Sequence, residues 1–156
     1  PGSTWLQTDS TTDVKGWLRW IKATGTGNTG WVVGPEADTG WRDIAASATA
    51  NTGQTVTYLQ IRRAGSVVFL RWGVTNTTGG NRLTIYTAPS GFRPAGYIYT
   101  KAGTLDSNPA AADVAIAAFP AGTIEYGQAG SASRFDTEMS WSTSQSWPSS
   151  LPGTAL

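Results

Sequence analysis

The sequence predicts an all-β protein: an antiparallel, jelly-roll-like β-sandwich head behind a short N-terminal β-rich neck. Three observations support this fold class. Apolar and polar residues alternate along several short segments, as is typical of strands, because successive side chains leave opposite faces. Turns containing Gly, Pro or Asn separate these segments. No segment has a convincing helical period, which favours a sandwich or barrel.

The clearest strands lie on either side of Ala64-Gly65. Before this dipeptide, Leu59 and Ile61 alternate with polar residues. After it, the alternating apolar residues are Val68, Leu70, Trp72 and Val74. Gly65 supplies the positive φ that a tight hairpin turn requires, so we expect two antiparallel strands to meet there. The other face of this hairpin is mixed and open to water or to another chain; it carries Arg62, Phe69 and Arg71.

The chain divides into three predicted segments. Residues 1–3 resemble the remnant of a cleaved expression tag, so the natural chain is expected to begin earlier. Residues 4–40 form a neck and linker, with strands at residues 5–7 and 17–21 and a Gly/Thr-rich stretch after them. Residues 41–156 form the sandwich head, whose size suits one compact domain.

The rest of the head consists of short strands separated by turn signals. These strands are predicted over residues 82–86, 97–101, 113–118, 122–126 and 139–143. The loop 88–94 is rigid because its prolines restrict φ and lack an N–H donor. The proline-rich tail from Trp147 to Gly153 cannot be a central strand, so we expect it to lie extended against the head.

Composition excludes several classes of function. The chain has no Cys and no His, which rules out disulfides, thiolate metal sites, cysteine nucleophiles and Ser-His-Asp triads. The net charge is +1 and the basic residues are scattered, so no basic groove for nucleic acid is indicated. No apolar run approaches the roughly 18 residues that cross a membrane. We therefore expect no metal, no cofactor, no nucleic-acid partner and no membrane insertion.

Aromatic residues are the first candidates for a ligand site. Trp and Tyr present flat apolar faces with a polar tip, on which the apolar C–H faces of sugar rings can stack. Tyr97, Tyr99 and Trp141 are predicted to form such a platform, with core or interface packing as the alternative. Another candidate set would bind an anionic cell-wall polymer by bidentate hydrogen bonds, with ordinary surface or intersubunit pairing as the favoured alternative; it comprises Arg62, Arg63, Arg71 and Arg93.

Paired carboxylates support a different, enzymatic hypothesis. Two acidic side chains about 5 to 9 Å apart hydrolyse glycosidic bonds. The candidates are Asp106, Asp113, Glu125, Asp136 and Glu138. Asp136 and Glu138 are two residues apart, so on a strand they share one face. A solvated turn at a strand entry is the simpler explanation of this pair.

Tryptophan is frequent, with eight in 156 residues. The segment that carries Trp17 and Trp20 is too short and too polar to bury both rings by itself. Trp31 is likewise bounded by polar and glycine residues. We therefore predict that Trp17, Trp20 and Trp31 pack against the downstream head or against a neighbouring subunit.

Four motifs, in their order and spacing, resemble the C-terminal domain of tail fibre or minor tail proteins from phages of actinobacteria and related hosts. They are Thr39-Gly40-Trp41-Arg42-Asp43-Ile44, Ile61-Arg62-Arg63-Ala64-Gly65-Ser66-Val67-Val68, Pro89-Ser90-Gly91-Phe92-Arg93-Pro94 and Trp147-Pro148-Ser149-Ser150-Leu151-Pro152-Gly153-Thr154. The resemblance covers residues 39–156. Residues 16–20 are similar, less specifically, to tryptophan-bearing segments that precede such heads.

The resemblance implies a receptor-binding head at the tip of a homotrimeric fibre, joined to an upstream shaft and exposed outside the cell on the virion. Such heads bind cell-wall glycans or surface proteins of the host. Trimer contacts would then account for the aromatic rings of the neck. The matching motifs carry no catalytic residues, so we expect a protein that is not an enzyme. A glycan depolymerase and a purely structural trimerisation module are the alternatives.

Overall fold

A computed structural model describes residues 3–7, 18–34, 37–49, 51–77, 80–102, 114–128 and 133–156. The strands, in chain order, are β1 Thr4–Gln7, β2 Leu18–Lys22, β3 Trp31–Val33, β4 Arg42–Asp43, β5 Gln54–Ala64, β6 Val67–Asn76, β7 Gly80–Thr87, β8 Ile98–Ala102, β9 Val114–Ala118, β10 Thr123–Gln128, β11 Ser133–Ser142 and β12 Thr154–Ala155. A short 3-10 turn, Ala45–Ser47, follows β4. The described residues thus confirm the predicted all-β class.

The head is a sandwich of two antiparallel sheets. One sheet has the strand order β11-β6-β5-β4-β12, and the other has the order β7-β10-β9-β8. Apolar side chains from both sheets belong to one buried cluster. The rings of Tyr126 and Phe135, one from each sheet, lie 5.1 Å apart between their centroids. A shared core of this kind is what holds two sheets face to face.

The predicted hairpin is the centre of the five-stranded sheet. Ala64 pairs with Val67, so Gly65 and Ser66 form the turn, and Gly65 has a φ of 57°. A glycine with positive φ at the first turn position matches the right-handed twist of the flanking strands. The alternating apolar residues of both strands are fully buried: Leu59, Ile61, Val68, Leu70, Trp72 and Val74.

Arg63 joins distant parts of the head. Its side chain is only 5% exposed. The guanidinium donates to the carbonyl oxygens of Gln145 and Ser146, each at 2.9 Å, and to that of Gly91. The Nε atom donates to the Gly65 carbonyl at 2.9 Å. These bonds satisfy the buried charge. They also join the hairpin turn, the proline loop and the start of the tail into one scaffold.

Two strands at the C-terminal end of the head differ from the expectation: β11 is longer than predicted, and β12 was not predicted. Strand β11 begins at Ser133, six residues before the predicted start at residue 139. Its first half places only Phe135 in the core before Met139, so the apolar alternation is too sparse to be recognised. The tail leads into β12, Thr154–Ala155, which pairs with β4. The buried Arg42 side chain fixes it there by donating to the carbonyl oxygens of Pro152 at 3.1 Å and Gly153 at 2.9 Å.

The neck is a three-stranded antiparallel sheet of order β1-β2-β3. Trp5 pairs with Trp20, and Trp20 pairs with Val33. Lys22 pairs with Trp31 and, two residues after Trp20, lies on the same sheet face. One face of the neck therefore carries three indole rings. The chain then joins the head before residue 41, because residues 37–40 already bond to the end of β5, for example Thr39 N to the Arg63 oxygen at 2.9 Å.

Candidate ligand-binding face

The candidate site is the outer face of the four-stranded sheet. Strand pairing aligns Tyr99 on β8 with Ala117 on β9, and Ala117 with Glu125 on β10. Residues aligned across neighbouring strands project from the same side of a sheet. Their sequence neighbours Ile116 and Ile124 are buried, so this row faces away from the core.

Three aromatic rings form one end of this face. Tyr97 and Tyr99 are 68% and 69% exposed, the highest values among the large apolar and aromatic side chains of the described chain. Both rings meet Phe119 edge to face, with centroids 5.8 and 6.3 Å away and interplanar angles of 89° and 86°. Edge-to-face packing is a favoured geometry for aromatic pairs. The two tyrosines are therefore held in position while much of their surface stays open to solvent.

A charged pair forms the other end of the face. Arg82 Nη2 lies 2.9 Å from Glu125 Oε2, and the guanidinium carbon lies 5.5 Å from the Phe119 ring centroid. Arg82 has a φ of 52°, rare for a residue other than glycine. It lies where the pairing of β7 with β10 shifts register. Such a bulge redirects side chains, which explains how Arg82 reaches across to β10.

Two shallow grooves lie on either side of this ion pair. One, of about 260 Å³, has Ala115 and Ala117 as its floor and Tyr99 on its wall. The other, of about 330 Å³, runs along Tyr97 and Phe119. The alanines leave the floor low because they carry no side chain beyond Cβ. The face therefore combines exposed rings, a low floor and polar groups that can form hydrogen bonds.

The predicted platform is only partly assembled. Tyr97 and Tyr99 lie together, as expected. Trp141 does not join them: it is 3% exposed, and its indole N–H donates to the Phe92 carbonyl at 2.9 Å. The prediction that Trp141 lies on the platform is corrected by this burial, since its indole fills the core. Arg93 donates from Nε to the Ala88 carbonyl at 3.1 Å and does not line either groove.

Phe119 and Arg82 were not among the predicted site residues. Phe119 stands next to Pro120 in a turn, where the sequence indicates only a hairpin connection. Arg82 comes to the site through the bulge, which has no local sequence signal. Ala115 and Ala117 could have indicated the groove from the sequence. Small residues at alternate positions of a strand leave a depression on one face of the sheet.

The four arginines expected to bind an anionic polymer are held by other groups and do not form one cluster. Arg62 pairs with Asp38, and Arg71 donates to Gln60 Oε1 at 2.6 Å while its guanidinium carbon lies 4.0 Å from the Trp41 ring centroid. Arg63 is buried among carbonyl groups, as described above. Each cation thus has a structural role, which weakens the anionic-polymer hypothesis.

The Arg62–Asp38 pair also sets the acidity of Asp38. Partial burial raises the pKa of this carboxyl. Hydrogen bonds from the Arg62 guanidinium and the Gly40 N–H, at 3.0 and 2.8 Å, and the positive charge of Arg62 outweigh this effect. The pKa of Asp38 is therefore lowered from its ordinary value.

The described candidate carboxylates, Glu125, Asp136 and Glu138, lie on opposite sides of the sandwich. Glu125 is on the outer face of the four-stranded sheet, whereas Asp136 and Glu138 pair with Gly73 and Arg71 on the outer face of the five-stranded sheet. Glu125 therefore cannot act with either of them on one glycosidic bond. Asp106 and Asp113 lie outside the described residues. Within the described ranges, no group of three or more acidic side chains converges to hold a metal ion.

The predicted interface residues lie in the neck. Trp20 and Trp31 share one face of the three-stranded sheet, and Trp17 lies outside the described residues. Lys22 is 6% exposed; its Nζ lies 5.2 Å from the Trp31 ring centroid and donates to the Gly27 carbonyl at 2.6 Å. Trp5, on the same face, is 53% exposed. The involvement of these rings in oligomer contacts stays a prediction.

Fold and site together define an all-β sandwich domain with an exposed aromatic groove. Comparison with protein-family models, with curated proteins and with solved structures found no match to this chain. In the described part of the chain, no helix has the length and apolar character of a membrane span. The functional argument therefore depends on the geometry of the site and on the motifs noted above.

Proposed function

We propose that the chain is a non-catalytic glycan-binding domain that acts as the receptor-binding tip of a phage tail fibre. One observation supports the proposal most directly: two exposed tyrosines, Tyr97 and Tyr99, both pack against the Phe119 ring and lie beside the Arg82–Glu125 pair. A sugar ring stacks its C–H face on a tyrosine, and its hydroxyls bond to the charged pair. Rigid aromatic anchors of this kind lose little entropy on binding.

The electrostatics of the face favour a neutral glycan. Glu125 compensates the charge of Arg82 at 2.9 Å. Together the two side chains offer donors and acceptors without a net charge, which suits hydroxyl groups. For an anionic polymer, the electrostatic attraction to Arg82 would be offset by the repulsion from Glu125.

The phage setting draws on the motif resemblance of residues 39–156. In the head these motifs meet around Arg63, which contacts Thr39, Gly65, Gly91 and the Trp147 ring, while the candidate face lies on another sheet. A rigid scaffold with a separate contact surface suits an adhesin. The neck, with Trp5 at 53% and Val32 at 48% exposure, supports a homotrimer continuous with an upstream shaft.

The test is binding of the fluorescently labelled domain to a glycan array and to a panel of actinobacterial cells. Wild type should bind a restricted set of hosts. The double variant Tyr97→Ala/Tyr99→Ala should lose about tenfold or more in affinity, since central aromatic residues dominate binding energy. Thr100→Ala is the matched control, because Thr100 lies on the same strand with its side chain directed away from Tyr99.

Other outcomes would support the alternatives. Unchanged binding by the double variant, or no binding to any cell or glycan, contradicts the proposal. Reducing-end release from purified cell wall favours the depolymerase. Light scattering separates a 16.4 kDa monomer from a trimer, and a trimer that binds no cells favours the structural module.

A further inference from the structure

A second, larger cavity lies between the neck sheet and the head, away from the tyrosines. Its volume is about 670 Å³, within the range of about 300–1,000 Å³ of small-ligand sites. Trp20 and Trp31 line it from the neck, and Trp147 and Pro148 line it from the tail. We refer to it as the tryptophan cleft.

Two of the three indole rings, those of Trp31 and Trp147, lie beside a cation. Trp20 and Trp31 project from one face of the neck sheet, where Lys22 lies 5.2 Å from the Trp31 ring centroid. Across the cleft, the Arg63 guanidinium carbon lies 4.9 Å from the Trp147 ring centroid. Cation–π contacts of this kind hold a ring in place. The cleft therefore presents ordered aromatic walls.

The cleft carries little available positive charge, although Arg63 lines it. The guanidinium already donates to Gln145 and Ser146 carbonyl oxygens at 2.9 Å and to that of Gly91. The Nε atom donates to Gly65 at 2.9 Å. An anion entering the cleft would compete with four carbonyl groups for these donors, so the site favours a neutral ligand.

The rim of the cleft is rich in hydroxyl groups. Ser66, Ser144 and Ser146 line it and are exposed. A hydroxyl both donates and accepts hydrogen bonds, so it suits a partner whose own groups do the same. Aromatic walls with a serine rim match a molecule with apolar ring faces and hydroxyl edges.

We propose that the tryptophan cleft is a second binding site, for a neutral oligosaccharide of two or three sugar units. The sugar faces stack on Trp31 and Trp147, and the edge hydroxyls bond to the serine rim. The site is independent of the tyrosine face, because the two sites share no lining residue. It assigns the rings of Trp20 and Trp31 to a ligand instead of to a neighbouring subunit.

The test is tryptophan fluorescence of the full chain, titrated with maltotriose, cellotriose and mannotriose. At least one neutral trisaccharide should shift or quench the emission. Trp31→Ala should weaken that binding by about tenfold, the effect of one lost aromatic stack. Trp41→Ala is the matched control, since Trp41 lies beside Arg71 on the head and does not line the cleft.

A second variant blocks the cleft without removing a ring. Ser144→Trp fills the rim and should abolish trisaccharide binding, whereas Ser140→Trp, an exposed serine outside the cleft, should not. Retained binding in Tyr97→Ala/Tyr99→Ala separates this site from the proposed receptor site. The proposal is overturned if no neutral trisaccharide binds or if Ser144→Trp binds normally. It is also overturned if Ser144→Trp instead dissociates an oligomer.

Discussion

Arg82 and Glu125 form an ion pair across β7 and β10, with Nη2 and Oε2 2.9 Å apart, on the same face as the two exposed tyrosines. The pair brings a donor group and an acceptor group to the edge of two grooves. The side chain of Arg82 is 65% exposed, so the pair contributes little to stability. Its importance for binding is that Glu125 neutralises the positive charge that Arg82 would otherwise present to a ligand.

Glu125→Gln should change the ligand preference of this face. Without the carboxylate, Arg82 keeps its charge and attracts anions. We expect affinity for poly(glycerol phosphate) to rise about threefold to tenfold at low salt and to fall back as salt screens the charge. Binding assays at two salt concentrations measure the effect. Glu138→Gln, on the opposite sheet, is the control, and an equal gain in that variant would contradict the assignment.

Gly73→Ala should destabilise the five-stranded sheet. A Cβ at this position would lie 2.6 Å from Tyr58 Cε1 and would also meet Asp136 Oδ1. Tyr58 and Asp136 pair with Gly73 from the two neighbouring strands, so both would have to move. We expect a loss of about 1–3 kcal/mol in the free energy of unfolding. Gly96→Ala, whose Cβ would meet nothing within 4 Å, should be neutral by the same urea titration.

Asp38→Asn should remove an acid-sensitive contribution to stability. The pKa of Asp38 is lower in the folded protein than in the unfolded chain, where it is about 3.9. The ion pair with Arg62 therefore stabilises the fold fully at a pH above the unfolded pKa. This stabilisation is lost as the pH falls through the lower pKa that Asp38 has in the folded protein. The melting temperatures of wild type and variant should therefore differ at pH 7 and converge below about pH 4. A difference that persists at low pH would show that charge is not the cause.

Tyr126→Phe should reduce the alkaline sensitivity of the fold. Burial raises the pKa of Tyr126 to about 12, and that of Tyr86 likewise to about 12. A tyrosine in the unfolded chain ionises near pH 10, whereas these two stay protonated to a higher pH when folded. Their contribution to the free energy of unfolding is therefore complete below about pH 10 and is lost as the pH rises toward 12. Each residue should contribute a slope of roughly 1 kcal/mol per pH unit near pH 11.

Removing one tyrosine hydroxyl should therefore make the urea midpoint fall less steeply between about pH 9 and pH 11. At neutral pH the change should be small or favourable, since the Tyr126 hydroxyl is buried without a hydrogen-bond partner among the described residues. An unchanged slope would mean that Tyr126 does not stay protonated in the folded protein. A large loss at neutral pH would mean that the hydroxyl has a partner.

The β5–β6 hairpin was predictable because its signal is local. Alternation with a period of two directs Leu59, Ile61 and Leu70 to one side, and Gly65 permits the turn. Strand β11 was only half predicted, since its first five residues bury one aromatic ring among polar neighbours. Local patterning is reliable where several apolar residues repeat, and it weakens where a strand has few of them.

The candidate site was predictable in part for the same reason. Tyr97 and Tyr99 were recognised as exposed ring candidates, and both are exposed. Trp141 carries an equally strong aromatic signal, yet its strand directs it into the core together with Met139. Alternation identifies which residues share a face, but it does not say which face the other sheet covers. Phe119 and Arg82 join the tyrosines only through contacts made on folding.

By itself, the sequence determined the all-β class, the central hairpin and the turns, because strand period and turn chemistry act over a few neighbouring residues. Tertiary structure alone decided which of the aromatic rings are buried, as with Trp72, and which are exposed, as with Trp5. It also decided that the Arg82–Glu125 pair lies beside the tyrosines. Those outcomes depend on strand order, on a bulge and on the packing of one sheet against another, which are set by residues far apart in the chain.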